Sequence, residues 1–308
     1  MNTIKRIIAI IDPTKDHQHG LARSIDLAKK SGATITAFMT VYDFSYEMTT
    51  MLSGDEREAM REAVIKDRKL WLNDLISPYK DISIEPLIIW HNRPYEAIIE
   101  TVIEHDFDLV IKGTHQHSVL KSVIFTPTDW HLVRKCPAPV LFVKEMAWPA
   151  KGNILAAVNA VSENEQHLAL NKRIITDAQF LCELANATLN IVNAYPATPV
   201  NIAIEIPEFN PNLYNESVKK HHIESTNKLA DEFNVGKAQC FIEEGLPEDV
   251  IPDVAKRLNS ELVVIGTVGR TGLSAALVGN TAEHVIDSLD CDVLALKPDG
   301  YVSPLAKD

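Results

Sequence analysis

The chain repeats itself. Residues 108–144 (DLVIKGTHQHSVLKSVIFTPTDWHLVRKCPAPVLFVK) and 261–297 (ELVVIGTVGRTGLSAALVGNTAEHVIDSLDCDVLALK) align without a gap, at a constant offset of 153. Gly113 falls on Gly266 and Lys144 on Lys297. A repeat this long is a domain, because solenoid units span only about 20–50 residues. The 308 residues therefore predict two domains, 1–146 and 151–308, joined by the short Pro/Gly-containing stretch at 146–153.

Each half alternates short apolar runs with helical patterns. In the first half the runs are 6–12, 33–42, 82–90, 108–113 and 138–144, and the helices fall near 19–31, 54–78, 95–106 and 128–135. In the second half the runs are 153–159, 187–195, 237–244, 261–266 and 292–297. Its helices fall near 164–186, 212–233, 248–259 and 281–289. Runs that are apolar throughout suit strands buried on both faces. Alternation with helices predicts an α/β fold with a parallel sheet covered on both sides. Segment 196–215 is rich in Pro and Asn yet alternates Val200, Ile202, Ile204 and Ile206. It reads as a surface excursion, a lid or an oligomer contact near the strand ends where such sheets bind ligands.

A formal net charge of −12 argues against nucleic acid as a direct partner, since phosphate backbones are held by clustered Lys and Arg. The four cysteines form no C-x-x-C pair. Cys136 and Cys291 flank apolar runs and read as buried thiols, which suits a reducing compartment. No stretch approaches the roughly 20 apolar residues that span a bilayer, and the N-terminus lacks the pattern of a signal peptide. The expectation is a soluble, cytoplasmic protein.

The sharpest chemical signal is the loop from Gly266 through Gly269 to Gly279-Asn280-Thr281, with the pattern G-x2-G-x9-G-N, placed between a buried strand and a helix. Gly266 is expected to turn the chain at the strand end, and Gly269 to let a ligand approach the backbone. Gly279-Asn280-Thr281 opens a helix whose unpaired N–H groups and dipole favour a phosphate. Arg270 is placed to add a charge-assisted contact. The competing reading is structural: Asn280 and Glu283 make a capping-box spacing that any helix uses.

These residues resemble the nucleotide signature of the universal stress protein family, and the chain resembles that family's tandem-domain, E-type bacterial members. Strand ends at Asp12 and Asn159, the turns Asn92–Pro94 and Gly245–Pro247, and the closing P-V-L and D-V-L strands match in order. The resemblance implies two flavodoxin-like domains, also described as adenine nucleotide alpha hydrolase-like. Each would have a five-stranded parallel sheet of order 3-2-1-4-5. It implies ATP or another adenine nucleotide as ligand, alone or with Mg²⁺. Gly266, Gly269, Gly279, Asn280 and Thr281 would wrap ribose and phosphates, with Ile265, Thr267 and Val268 lining the loop. Asn159 takes the place of the carboxylate that meets the adenine amino group, and Ala194 offers a backbone contact to the base. The implied role is survival under growth arrest, DNA-damaging or oxidative conditions, with the nucleotide as a regulatory ligand. The implied assembly is pairing of the two domains within the chain, with homodimerisation left open.

The first copy departs from the signature. Gln116, Thr126 and Pro127 stand where the second has Gly269, Gly279 and Asn280. Proline removes a donor N–H, and Asp129 puts a negative charge in the first helical turn. Thr126–Asp129 therefore reads as a stabilising cap, and no nucleotide is expected there. Asp12, His17, His19, His115 and His117 form a candidate zinc set, weighed against ordinary loop histidines. His221 and His222 are expected to face solvent. No catalytic constellation is arguable. The alternatives to a regulatory nucleotide are a slow ATPase or autophosphorylating protein, and a nucleotide-independent interaction module or apolar-ligand carrier.

Overall fold

The computed structural model describes residues 3–45, 53–116, 123–144, 147–162, 164–197, 210–267 and 280–306. The chain divides into two units, one built mainly on residues 3–119 and 124–145 with the 302–308 tail, the other mainly on 146–301.

The first unit runs β1 (Arg6–Ile10), α1 (His19–Ser31), β2 (Thr34–Val41), α2 (Gly54–Ile76), β3 (Ile84–Trp90), α3 (Pro94–His105), β4 (Leu109–Gly113), α4 (Pro127–Lys135) and β5 (Val140–Val143). Its strands lie in the order β5-β4-β1-β2-β3, every neighbour parallel. The second unit runs β6 (Asn153–Ala157), α5 (Glu165–Ala185), β7 (Thr188–Tyr195), α6 (Pro211–Glu232), β8 (Cys240–Glu244), α7 (Pro247–Arg257), β9 (Ser260–Gly266), α8 (Asn280–Ser288) and β10 (Asp292–Leu296). Its order is β8-β7-β6-β9-β10, again all parallel. Counted within each unit, both sheets read 3-2-1-4-5.

Burial explains why these runs are strands. Ile7, Ile8 and Ala9 of β1 are all inaccessible, as are Val263 and Val264 of β9. Consecutive side chains point to opposite faces of a sheet, so full burial of neighbours requires cover on both sides. Helices supply it, and their ends are written locally. Thr126 and Asp129 cap α4 reciprocally, Ser53 and Glu56 do the same for α2, and Asn164 accepts from the N–H groups of Gln166 and His167 at the start of α5. Gly32 closes α1 at φ 76°, and Asn186 closes α5 at φ 52°; both are left-handed positions that Gly and Asn tolerate best.

The cysteines correct one expectation. Cys136 and Cys182 are buried, but Cys291 is only half-buried, because it stands in the exposed turn before β10. No helix among the described residues is long and apolar enough to cross a membrane.

Candidate functional site

At the carboxyl ends of the second unit's strands lies a cavity of about 410 Å³. Asn159, Ala194, Ile265, Gly266 and Thr281 line it, together with Leu170, His222 and Val285. Thr267 closes the strand end: its N–H and Oγ1 both donate to Leu296 O, at 2.8 and 3.0 Å. Thr114 does the same to Val143 O in the other copy, at 2.9 and 3.1 Å. The buried Lys297 sits behind Thr267 and donates to its carbonyl at 3.0 Å. The loop residues Val268, Gly269, Arg270 and Gly279 lie outside the described residues, as does the side chain of Asn280.

Helix α8 begins at Asn280. Asn280 is thus the first helical residue, the position Pro127 holds in α4.

Gly266 plays a different part from the one its motif suggests. Its φ is not positive. A Cβ there would stand 2.5 Å from Leu170 Cδ2 and 3.2 Å from Ile174 Cδ1. A side chain at 266 would press on Leu170 and Ile174 of α5, which pack over the strand end. The turn before α7 is where left-handed backbone is needed: Gly245, on the cavity wall, has φ 146°.

The two copies anchor their first strand end alike. In the second, Asn171 Oδ1 accepts from Asn159 N at 3.1 Å, and Asn171 Nδ2 donates to Asn159 O at 2.7 Å. In the first, Gln18 Oε1 accepts from Asp12 N at 3.1 Å, and Gln18 Nε2 donates to Asp12 O at 2.6 Å. The anchored residues are separated by 12 positions in the second copy and 6 in the first. In the second copy the anchor Asn171 is the seventh residue of α5, whereas in the first Gln18 immediately precedes α1; the earlier start of α5 is what brings Leu170 over Gly266.

The first copy is closed by charge. Lys112 Nζ lies 2.8 Å from Asp129 Oδ1, with Asp129 fully buried and Lys112 only 9% exposed. The second copy has Ile265 and Ala282 at these positions. Asp129 Oδ2 also accepts from Thr126 N and Oγ1 at 2.7 and 2.8 Å. The start of α4 thus carries an anion of the chain's own. A smaller cavity, about 200 Å³, remains beside it, lined by Asp12, Lys15, His17, His19 and Lys112.

The candidate zinc set falls only partly within the described residues. Among the described residues no three His, Cys, Asp or Glu side chains come together as a metal site. His17 and His19 lie on one side with ring centres 6.2 Å apart. The carboxylate of Asp12 instead accepts from Thr14 N and Oγ1, at 2.9 and 2.6 Å. The side chain of His115 and all of His117 lie outside the described residues. Most of segment 196–215, expected as an excursion or lid, is likewise outside them; its last residues open α6.

His222 overturns the solvent-facing expectation. Only His221 is exposed; His222 is 8% exposed and reaches the cavity. Its Nδ1 meets Asn193 Nδ2 at 2.7 Å, and its ring leans on Tyr195 with centres 5.6 Å apart. The signal was present in the sequence: His222, Thr226 and Ala230 recur every fourth residue and form the buried stripe of α6.

Duplicated parallel sheets of order 3-2-1-4-5, with the larger cavity at the strand ends of the second, define a tandem flavodoxin-like protein. The sequence profile described as the Universal stress protein family matches residues 3–144 and again 153–297. The chain belongs to the universal stress protein family. It is 49% identical over 311 residues to Universal stress protein E of Escherichia coli K12, covering 100% of this chain and 98% of that one. It is 40% identical over 301 residues to the Universal stress protein E homolog of Haemophilus influenzae, covering 96% and 97%. A functionally unknown protein of Pseudomonas aeruginosa PAO1, solved as a crystal structure, is similar at TM-score 0.78 and 30% identity, covering 99% and 96%. A universal stress protein of Archaeoglobus fulgidus shares the fold at TM-score 0.61 and 14% identity, covering 96% and 97%.

Proposed function

We propose that the second unit of this stress-response protein binds an adenine nucleotide, ATP first among them, as a regulatory ligand, and that the first unit does not. The observation that supports the reading is the contrast at one pair of equivalent helix starts. In the first copy a buried Asp129 already holds the capping donors of α4. In the second, Ala282 leaves α8 without that carboxylate, at the mouth of a cavity lined by Asn159, Ala194, Gly266 and Thr281. Helix starts attract phosphate because their N–H groups are unpaired and the dipole is positive there. Asn159 retains an amide oxygen able to accept from a base amino group. Such a regulatory role fits a cytoplasmic protein.

Equilibrium dialysis with labelled ATP tests the division of labour. The wild type and Gly113→Ala should bind one equivalent, since the added methyl meets only Gly20 N at 3.6 Å. Gly279→Val should abolish binding. Equal loss in both variants, or in neither, rejects the reading.

A second reading has its own support. Val158, Leu170, Ile174, Ile251 and Val285 make the cavity wall largely apolar, which suits a carrier of an apolar molecule. Organic extraction of the purified protein followed by mass spectrometry decides it: a stoichiometric apolar compound, displaced by no concentration of ATP, favours the carrier.

A further inference from the structure

We infer that His222 is a ligand-binding residue of the second unit, held as the neutral imidazole with its proton on Nε2 and presenting that N–H to the cavity as a donor. The inference rests on the nucleotide reading for its ligand, but its geometry stands apart from it. A backbone N–H can only donate, so Ala160 N, 3.1 Å from Asn193 Oδ1, fixes the oxygen end of that buried amide. The nitrogen end then faces His222 Nδ1 at 2.7 Å. Asn193 Nδ2 carries only donors, so Nδ1 must accept, and the ring proton belongs on Nε2. Among the described residues Nε2 has no partner, while the ring lines the cavity beside Ala194 and Asn159. A base or other group with an acceptor atom is what such a donor suits.

Protonating His222 would set an Nδ1–H against the Asn193 N–H. Either the ring must withdraw or the amide must turn, and turning takes the acceptor from Ala160 N. Ala160 follows directly on Asn159, which lines the cavity, so a lost bond at Ala160 N falls beside the ligand site. The titratable groups around the ring are His221 on its own helix, Tyr195 on β7 with Glu243 and Glu244 of β8 beside it, and His167 on the cavity wall. Burial first, then the charge of His221, hold the imidazole below its ordinary 6.5. Ligand binding is therefore expected to weaken as the pH falls through that lowered value.

Two measurements on the full chain decide it. Long-range ¹H–¹⁵N spectra of ligand-free protein should show neutral His222 protonated on Nε2; a ring protonated on Nδ1 overturns the assignment whether or not ATP binds. ATP titration at pH 8 should show Asn193→Asp, nearly isosteric, about tenfold weaker, because its carboxylate calls the proton to Nδ1. His222→Gln, which keeps a donor near Nε2, should bind within about threefold of wild type, and His222→Phe about tenfold weaker. Wild-type affinity in both Asn193→Asp and His222→Phe overturns the ligand role. Failure of the wild type to bind ATP refutes the nucleotide reading instead, and the spectra still judge the tautomer.

Discussion

Lys112 and Asp129 form a buried ion pair where the second copy has Ile265 and Ala282. The pair is buried and the two residues depend on each other, because an uncompensated charge in the interior is far more costly than a paired one. Asp129→Ala alone should destabilise the first unit by about 3–5 kcal/mol, leaving Lys112 without its counter-charge. Adding Lys112→Ile, which completes the second copy's Ile265 and Ala282, should recover most of that loss. Urea denaturation of the two variants checks it; a double variant no more stable than the single would show that the cost does not come from the stranded Lys112 charge.

At the scale of elements, the informative difference is helix length. Helix α5 has 21 residues and α1 has 13, with their C-terminal ends in nearly equivalent places. The extra turns of α5 lie at its N-terminus and cover the end of β9. Two side chains secure them. Asn164 caps the exposed start, and Asn171, 4% exposed, brackets the backbone of Asn159. Asn164→Ala should cost about 1 kcal/mol, the ordinary value of a lost cap. Asn171→Ala should cost more, about 1–3 kcal/mol, because it leaves a donor and an acceptor poorly satisfied at a strand end. Hydrogen exchange at Val158 and Ala160 should quicken in Asn171→Ala and not in Asn164→Ala. The reverse order would place the anchor at the helix cap.

For the whole molecule, among the described residues each unit holds a histidine whose pKa is lowered chiefly by burial. His131, stacked on Tyr95 with ring centres 3.8 Å apart, is lowered by burial and then by Lys135 and Arg134. His222 is lowered by burial and then by His221. A lowered folded-state value means the unfolded chain binds more protons. Their contribution to stability is therefore complete above 6.5, the ordinary value of both, and is lost as the pH falls through the lower folded values. Glu96, held down mainly by Arg93, adds a further loss below its ordinary 4.5. The thermal midpoint should decline on acidification from pH 7.5 to 5, and less steeply in a His131→Gln, His222→Gln double variant. Equal slopes in the two proteins would remove the histidines from the account.

The element sequence and the duplication were legible because they depend on short-range pattern, whereas the sheet order followed from the family resemblance. Apolar runs such as RIIAI and ELVVI leave a buried strand as the economical solution, and caps such as Thr126 with Asp129 are local chemistry within one turn. The glycine spacing that marks the loop was legible for the same reason. What Gly266 is for was not: its neighbour Leu170 lies 96 positions away and arrives only through the length of α5. The burial of His222 was only half legible: the spacing of His222, Thr226 and Ala230 marks one stripe of a helix, but which stripe is buried is decided when the helix packs. Composition and periodicity determined which elements form and in what order. Only the tertiary structure decided which side chains meet at the strand ends, because such contacts join residues remote in the chain and turn on the few ångströms by which one helix overhangs one strand.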